Sequence, residues 1–176
     1  MASLLVVTGP PGAGKSTIAQ AVAERCEPSV LVEGDAFFGF VRRGAIPPWL
    51  AEAHAQNDVV VRAAAAATGR FAASGYVTVY DGVIGPWFLP TFIEATGLDS
   101  LHYVLLLPTV ELCVERVATR EGHGFTDESA TRKMHAEFAR AEIAHRHVLA
   151  NRPGDAPTIA TEVLTRFSDG SLIYKP

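Results

Sequence analysis

Short unbroken apolar runs alternate along the chain with longer stretches in which apolar residues recur every three or four positions. The runs at 4–8, 29–32, 76–80, 102–107 and 147–150 read as strands. The longer stretches predict helices opening at Lys15 and covering 48–73, 109–120, 127–146 and 157–167. Strands that alternate with helices make a parallel sheet with helical crossovers, so the expected class is α/β: five parallel strands with helices on both faces. Leu4-Leu5-Val6-Val7 and Val104-Leu105-Leu106-Leu107 lack the polar half of a strand alternation, which places them centrally. In the second helix Leu50, Ala53, Val60, Ala64, Ala67 and Phe71 form the face expected to pack on the sheet. Gly and Pro mark 39–48, 82–89, 121–126 and 151–157 as loops.

The length, 176 residues, suits one domain spanning 1–176. Apolar residues at 48% against 19% charged exclude the disordered class. A formal charge of −4 provides no overall positive field for a polyanion, which argues against a nucleic-acid partner. Cys26 and Cys113 stand far apart, suggesting neither a disulfide framework nor a thiolate metal site, and a reducing, cytoplasmic setting is expected. The first residues carry no basic leader, and no apolar stretch approaches the roughly 20 residues a bilayer requires, so neither a signal peptide nor a membrane span is expected. His135, His145 and His147 lack metal-ligand spacing and read as solvated or capping residues.

The sharpest signal is Gly9-Pro10-Pro11-Gly12-Ala13-Gly14-Lys15-Ser16, which satisfies G-x-x-x-x-G-K-[ST] and lies directly between a strand and a helix. Glycines let successive backbone N–H groups converge on phosphate oxygens, and the following helix N-terminus favours the anion. Lys15 is expected to reach the phosphates being separated, Ser16 to ligate Mg²⁺, and Thr17 to extend the cradle toward the α-phosphate. The chain carries no Asn/Thr-Lys-x-Asp segment for reading guanine, and Asp81 stands without the second acid usual in large ATPases. Asp35 and Asp81 follow strands, where ligands of doubly wound sheets collect. As structural roles, Asp35 could cap a short helix, Asp81-Gly82 could form a turn, and Arg116 and Arg120 could pair with Glu115 or Glu121 on a solvated face.

Residues 9–17, Glu33-Gly34-Asp35, Asp81-Gly82 and Arg116-x-x-x-Arg120 together resemble small P-loop kinases. Glu33-Gly34-Asp35 is similar to the Asp-Gly-Asp of gluconate kinases and adenylylsulfate kinases, with Glu in the first place. Arg120-Glu121-Gly122-His123 is similar to the Arg-Lys-Gly-His of gluconate kinase lids. The long helix between the acidic loop and the third strand resembles chloramphenicol phosphotransferase, in which the counterpart of Asp35 serves as base. The resemblance implies a three-layer P-loop kinase fold with a short lid near 120–130, ATP and Mg²⁺ as cofactors, and transfer of the γ-phosphate to a hydroxyl of a metabolite or antibiotic. It implies Asp35 as base with Glu33 as its rival, Arg116 and Arg120 over the phosphoryl group, Asp81 beside Ser16 at the metal, and Arg152 against adenine. Two alternatives stay open. A nucleotide or polynucleotide-end kinase would need a basic stripe from Arg132, Lys133, Arg140 and Arg146, and a nucleotide-binding ATPase would use no acceptor.

The acceptor is expected between 35–49 and 82–92, where Phe37, Phe38, Phe40, Trp49, Trp87 and Phe88 cluster beside Arg42 and Arg43. Phe37, Phe88 and Phe92 taken singly read as core. Adenylate kinases place an Arg after the third-strand Asp-Gly, whereas this chain continues Val83-Ile84-Gly85. The composition therefore favours an uncharged or partly apolar hydroxyl compound.

Overall fold

A computed structural model describes residues 3–119, 125–150 and 155–176. Five parallel strands, β1 (Ser3–Thr8), β2 (Ser29–Glu33), β3 (Val77–Asp81), β4 (Leu101–Leu107) and β5 (Val148–Ala150), lie in the order β2-β3-β1-β4-β5. The apolar run expected at the centre is there: β1 pairs with β3 through Val6↔Tyr80 and Val7↔Asp81, and with β4 through Thr8↔Leu105. A short sixth strand, β6 (Ile173–Tyr174), pairs antiparallel with the start of β4, which β5 leaves free. Nothing in the alternation of the sequence distinguishes these two residues from a tail.

Alternation along β1 divides the core into two halves. Leu4 and Val6 point to one face, where α3 (His54–Ala73), α4 (Leu89–Thr96) and Phe138 of α6 (Glu128–Arg140) cover them. Leu5 and Val7 point to the other, against α1 (Lys15–Ala23) and α7 (Ala156–Ser168). Helices therefore enclose the sheet on both sides, with α2 (Gly34–Phe38) and α5 (Val110–Thr119) at its C-terminal edge. That edge aligns Glu33 with Asp81 and Asp81 with Val7, setting three strand ends beside the loop that follows β1.

Several local expectations change. The helix expected from Pro48 begins at His54, after a 3₁₀ turn at Ala51–Ala53. Gln56 bonds both backbone groups of Ile46, and Asn57 Nδ2 donates to Pro48 O at 2.7 Å, so the preceding loop is fastened to the helix it fails to join. Of the expected face Ala53, Val60 and Ala64 are buried, but the stripe continues through Val61, Ala65, Thr68 and Ala72 instead, and Leu50 and Phe71 are exposed. The helix expected through Arg146 stops at Arg140. α4 follows the loop expected at 82–89 and is a helix the sequence reading lacks; Pro90 sits in its first turn, where a missing N–H costs nothing. His147 is buried rather than solvated: its Nδ1 lies 3.0 Å from Tyr103 O, and burial lowers its pKa.

Candidate active site

The phosphate motif forms the turn between β1 and α1. Ala13 N–H donates to Pro10 O (3.1 Å), and Gly12 and Gly14 take φ of 78° and 90°, a left-handed backbone that a side chain strains. A Cβ on Gly12 would also collide with the carbonyl oxygen of Cys113, so the loop lies flush on α5. Lys15 Nζ donates to Pro10 O at 3.1 Å. This curled backbone with a lysine folded over it fits a polyphosphate on its own geometry.

Two cavities meet at this loop. One, of about 420 Å³, is walled by residues 12–18, by Arg116 and Thr119 of α5, and by Ala156 and Ile159 of α7. The other, of about 470 Å³, lies over the strand ends and is lined by Lys15, Asp35, Tyr80 and a mainly apolar wall that includes Phe38, Trp49, Trp87, Phe88 and Phe125. Gly12 and Lys15 belong to both. Gly9 and Pro10 line neither; a Cβ on Gly9 would strike Leu106 O, so its place in the motif is a close backbone approach. Arg116 Nη1 donates to Gly12 O at 3.3 Å, which ties α5 to the loop. Arg120, His123 and Arg152 lie outside the described residues.

The acidic residues separate by position. Asp35 stands in the first turn of α2 and borders the 470 Å³ cavity with Lys15. Glu33, the rival, is exposed on β2 and borders neither cavity. Asp81 is buried at the end of β3, and burial is the main force raising its pKa, aided by Asp35 and Glu33. The Ser16 hydroxyl, reaching its carboxylate as a hydrogen-bond donor, and the Lys15 ammonium oppose that rise. A hydroxyl and a carboxylate brought together are hard oxygen donors of the kind Mg²⁺ takes alongside phosphate and water. Among the described residues no three His, Cys, Asp or Glu side chains gather into a metal cluster.

The aromatics expected at the acceptor divide. Phe38, Trp49, Trp87 and Phe88 border the cavity; Phe37 packs on the core, Phe92 is wholly inside it, and Phe40 is exposed beside Phe37 with ring centroids 5.3 Å apart. Trp49 meets Phe125 edge-on at 4.8 Å, joining the loop before α3 to the segment before α6. Arg42 and Arg43 are exposed and line neither cavity.

Sequence reasoning missed Tyr80, His54, Asn57, Lys133, Met134 and Glu137 in the wall. Tyr80 packs its ring on Phe92 at 4.8 Å, and its hydroxyl fills the space a side chain at position 34 would take, which accounts for Gly34. Burial first, then Asp35 and Asp81, push its phenol above the ordinary value, so it is a protonated donor at neutral pH. A signal was available for the helical residues: His54, Asn57 and Val61 on α3, and Lys133, Met134 and Glu137 on α6, recur at helical spacing.

The profile of the family described as AAA domain matches residues 8–133. No curated protein matches the sequence. Among solved structures, an unliganded sugar kinase from Janibacter sp. superposes with a TM-score of 0.71 at 24% identity, covering 96% of this chain and 95% of that one. The tunicamycin resistance protein of Deinococcus radiodurans gives 0.70 at 14% identity over 100% of both chains. A gluconokinase from Sinorhizobium meliloti gives 0.63 at 24%, covering 96% and 93%. At these identities the likeness is one of fold, the three-layer P-loop kinase fold.

Proposed function

The chain belongs to the AAA domain family, and from that premise we propose that it is an ATP-dependent phosphotransferase acting on a hydroxyl of a small, partly apolar molecule. The observation that carries this reading is Lys15, which lines both cavities, while Asp35 borders only the one over the strand ends. In this reading the 420 Å³ cavity takes the nucleotide and the 470 Å³ cavity takes the acceptor. Both volumes suit small-molecule ligands.

The acceptor oxygen attacks the γ-phosphorus while Asp35 takes its proton; the bond from that phosphorus to the β–γ bridging oxygen breaks, and ADP leaves with the electron pair. Lys15 offsets charge on the phosphates in flight, and Arg116 and Arg120 add to it. Residues 12–17 cradle the polyphosphate through backbone N–H groups, with Gly9, Pro10 and Pro11 shaping the turn, and Arg152 stacks on the base. Ser16 and Asp81 are the groups that would hold Mg²⁺, which supplies charge neutralisation to the β- and γ-phosphates when bound. The chain's acidic balance and mainly apolar cavity support a small uncharged acceptor over a nucleotide or a polynucleotide end.

The reading is tested by incubating the protein with MgATP and a panel of hydroxylated metabolites and antibiotics, following phosphorylated product by phosphorus NMR. ATP turnover that no hydroxyl compound stimulates, and that survives Asp35→Asn, would replace the kinase with an ATPase.

A further inference from the structure

The acceptor cavity is bordered by four formally charged side chains: Lys15 and Asp35, used above, and Lys133 and Glu137. The second pair lies one helical turn apart on α6, with Met134 in the same wall. Elsewhere in the chain such pairs are closed, as in Asp58–Arg62, Glu128–Arg132 and Glu162–Arg166. Each of those places the acid before the base, the order that helix geometry favours; Lys133 and Glu137 reverse it. Among the described residues neither side chain makes a hydrogen bond or an ion pair. Two opposite charges facing a cavity, and not spent on each other, are available to a third party.

Resting on the acceptor reading of this cavity, we infer that Lys133 and Glu137 are the specificity-determining head-group subsite, selecting an aromatic or apolar alcohol that carries a net-neutral group with both a donor and an acceptor. A primary amide is the simplest such group: its N–H donates to the Glu137 carboxylate and its carbonyl accepts from the Lys133 ammonium. A carboxylate head would meet Glu137 as a like charge, and an ammonium head would meet Lys133. The subsite therefore discriminates by repulsion as well as attraction. Phe38, Trp49, Trp87 and Phe125 supply the apolar walls for the body of the molecule.

Three probes of one shape test this on the nucleotide-free protein: 4-(hydroxymethyl)benzamide, 4-(hydroxymethyl)benzoate and 4-(hydroxymethyl)benzylamine, titrated by NMR. The amide is expected to bind tightest to the wild type. Lys133→Met is expected to shift the benzylamine-to-benzoate affinity ratio up to about fivefold toward the amine, and Glu137→Gln up to about fivefold toward the benzoate, the scale of one exposed charge pair, since both side chains are exposed at the cavity's edge. Lys133→Arg is expected to keep the wild-type ranking, and melting temperatures establish that the variants fold. An unchanged ranking in both charge-removing variants, or no binding by any of the three probes, overturns the subsite. Failure of the phosphotransfer reading shows separately, as probes that bind in this order and are never phosphorylated with MgATP.

Discussion

The Lys15 ammonium donates to the Pro10 carbonyl oxygen 3.1 Å away, folding the lysine back across the mouth of its own loop. A triphosphate seated on the backbone N–H groups would meet that ammonium directly. Charge-assisted bonds of this kind contribute about 1.5–3 kcal/mol, so Lys15→Ala is expected to weaken MgATP binding by about 10- to 100-fold and to abolish turnover. Calorimetric titration with a non-hydrolysable analogue checks the first, and a coupled ADP assay the second. Wild-type affinity in the variant would remove the loop from nucleotide binding.

Asp35 borders the cavity assigned to the acceptor and not the one assigned to the nucleotide. Asp35→Asn keeps shape and a hydrogen-bonding oxygen but cannot take a proton. Removing a general base costs about 10²- to 10⁴-fold in rate. Acceptor-dependent transfer is expected to fall by that amount, with the dissociation constant for MgADP staying within a few-fold of wild type. Retained transfer in Asp35→Asn would defeat the base assignment and return Glu33 to consideration.

How much of this could be read beforehand follows from where the information resides. The phosphate loop is local: its glycines, lysine and serine are consecutive, and flanking apolar periods mark the strand and the helix. β1 and β4 were legible because buried parallel strands carry unbroken apolar runs. The end of α3 at Ala73 is legible but its start is not, because Leu50 extends the apolar period by chance, while Gln56 and Asn57 fasten the preceding loop to the helix. Tyr80 looked like an ordinary strand residue, and only the packing of β3 against Gly34 brings its hydroxyl to the cavity. Lys133 enters the sequence reading only within a basic stripe and Glu137 not at all, because nothing local states that α6 forms a wall of the cavity over the strand ends.

Asp81 makes stability depend on pH. Burial raises its carboxyl above the ordinary value, so the folded chain holds that proton more tightly than the unfolded chain. Its contribution to stability is complete below the unfolded value and is lost as pH rises through the raised one. In the metal-free protein, Asp81→Asn is expected to melt higher than wild type at neutral pH, with the difference closing toward zero below about pH 4. The same substitution is expected to reduce the advantage of MgADP over metal-free ADP in binding. A melting difference that grows on acidification would contradict the assigned direction.

Gly69 lies mid-helix on α3, where Ala would ordinarily be the better residue by about 1 kcal/mol. Here a Cβ would collide with the backbone carbonyl of Thr96 on α4, and backbone cannot step aside as a side chain can. Overpacking costs about 1–3 kcal/mol, which outweighs the propensity gain. Gly69→Ala is therefore expected to lower the melting temperature by about 2–8 °C, read by circular dichroism. An unchanged or raised melting temperature would mean that α3 and α4 stand farther apart.

The chain has two tryptophans, and both line the acceptor cavity, whereas none lines the cavity assigned to the nucleotide. Trp87 is 49% exposed, so an occupant of the cavity displaces water from its indole. Intrinsic emission is thereby a selective reporter: an acceptor is expected to shift it to shorter wavelength, and MgADP alone to leave it nearly unchanged. Trp87→Phe should remove most of the shift, since Trp49 is already partly shielded by Phe125. A full blue shift with MgADP alone would reverse the assignment of the two cavities, because a nucleotide confined to the wall of Arg116, Thr119 and Ile159 touches neither indole.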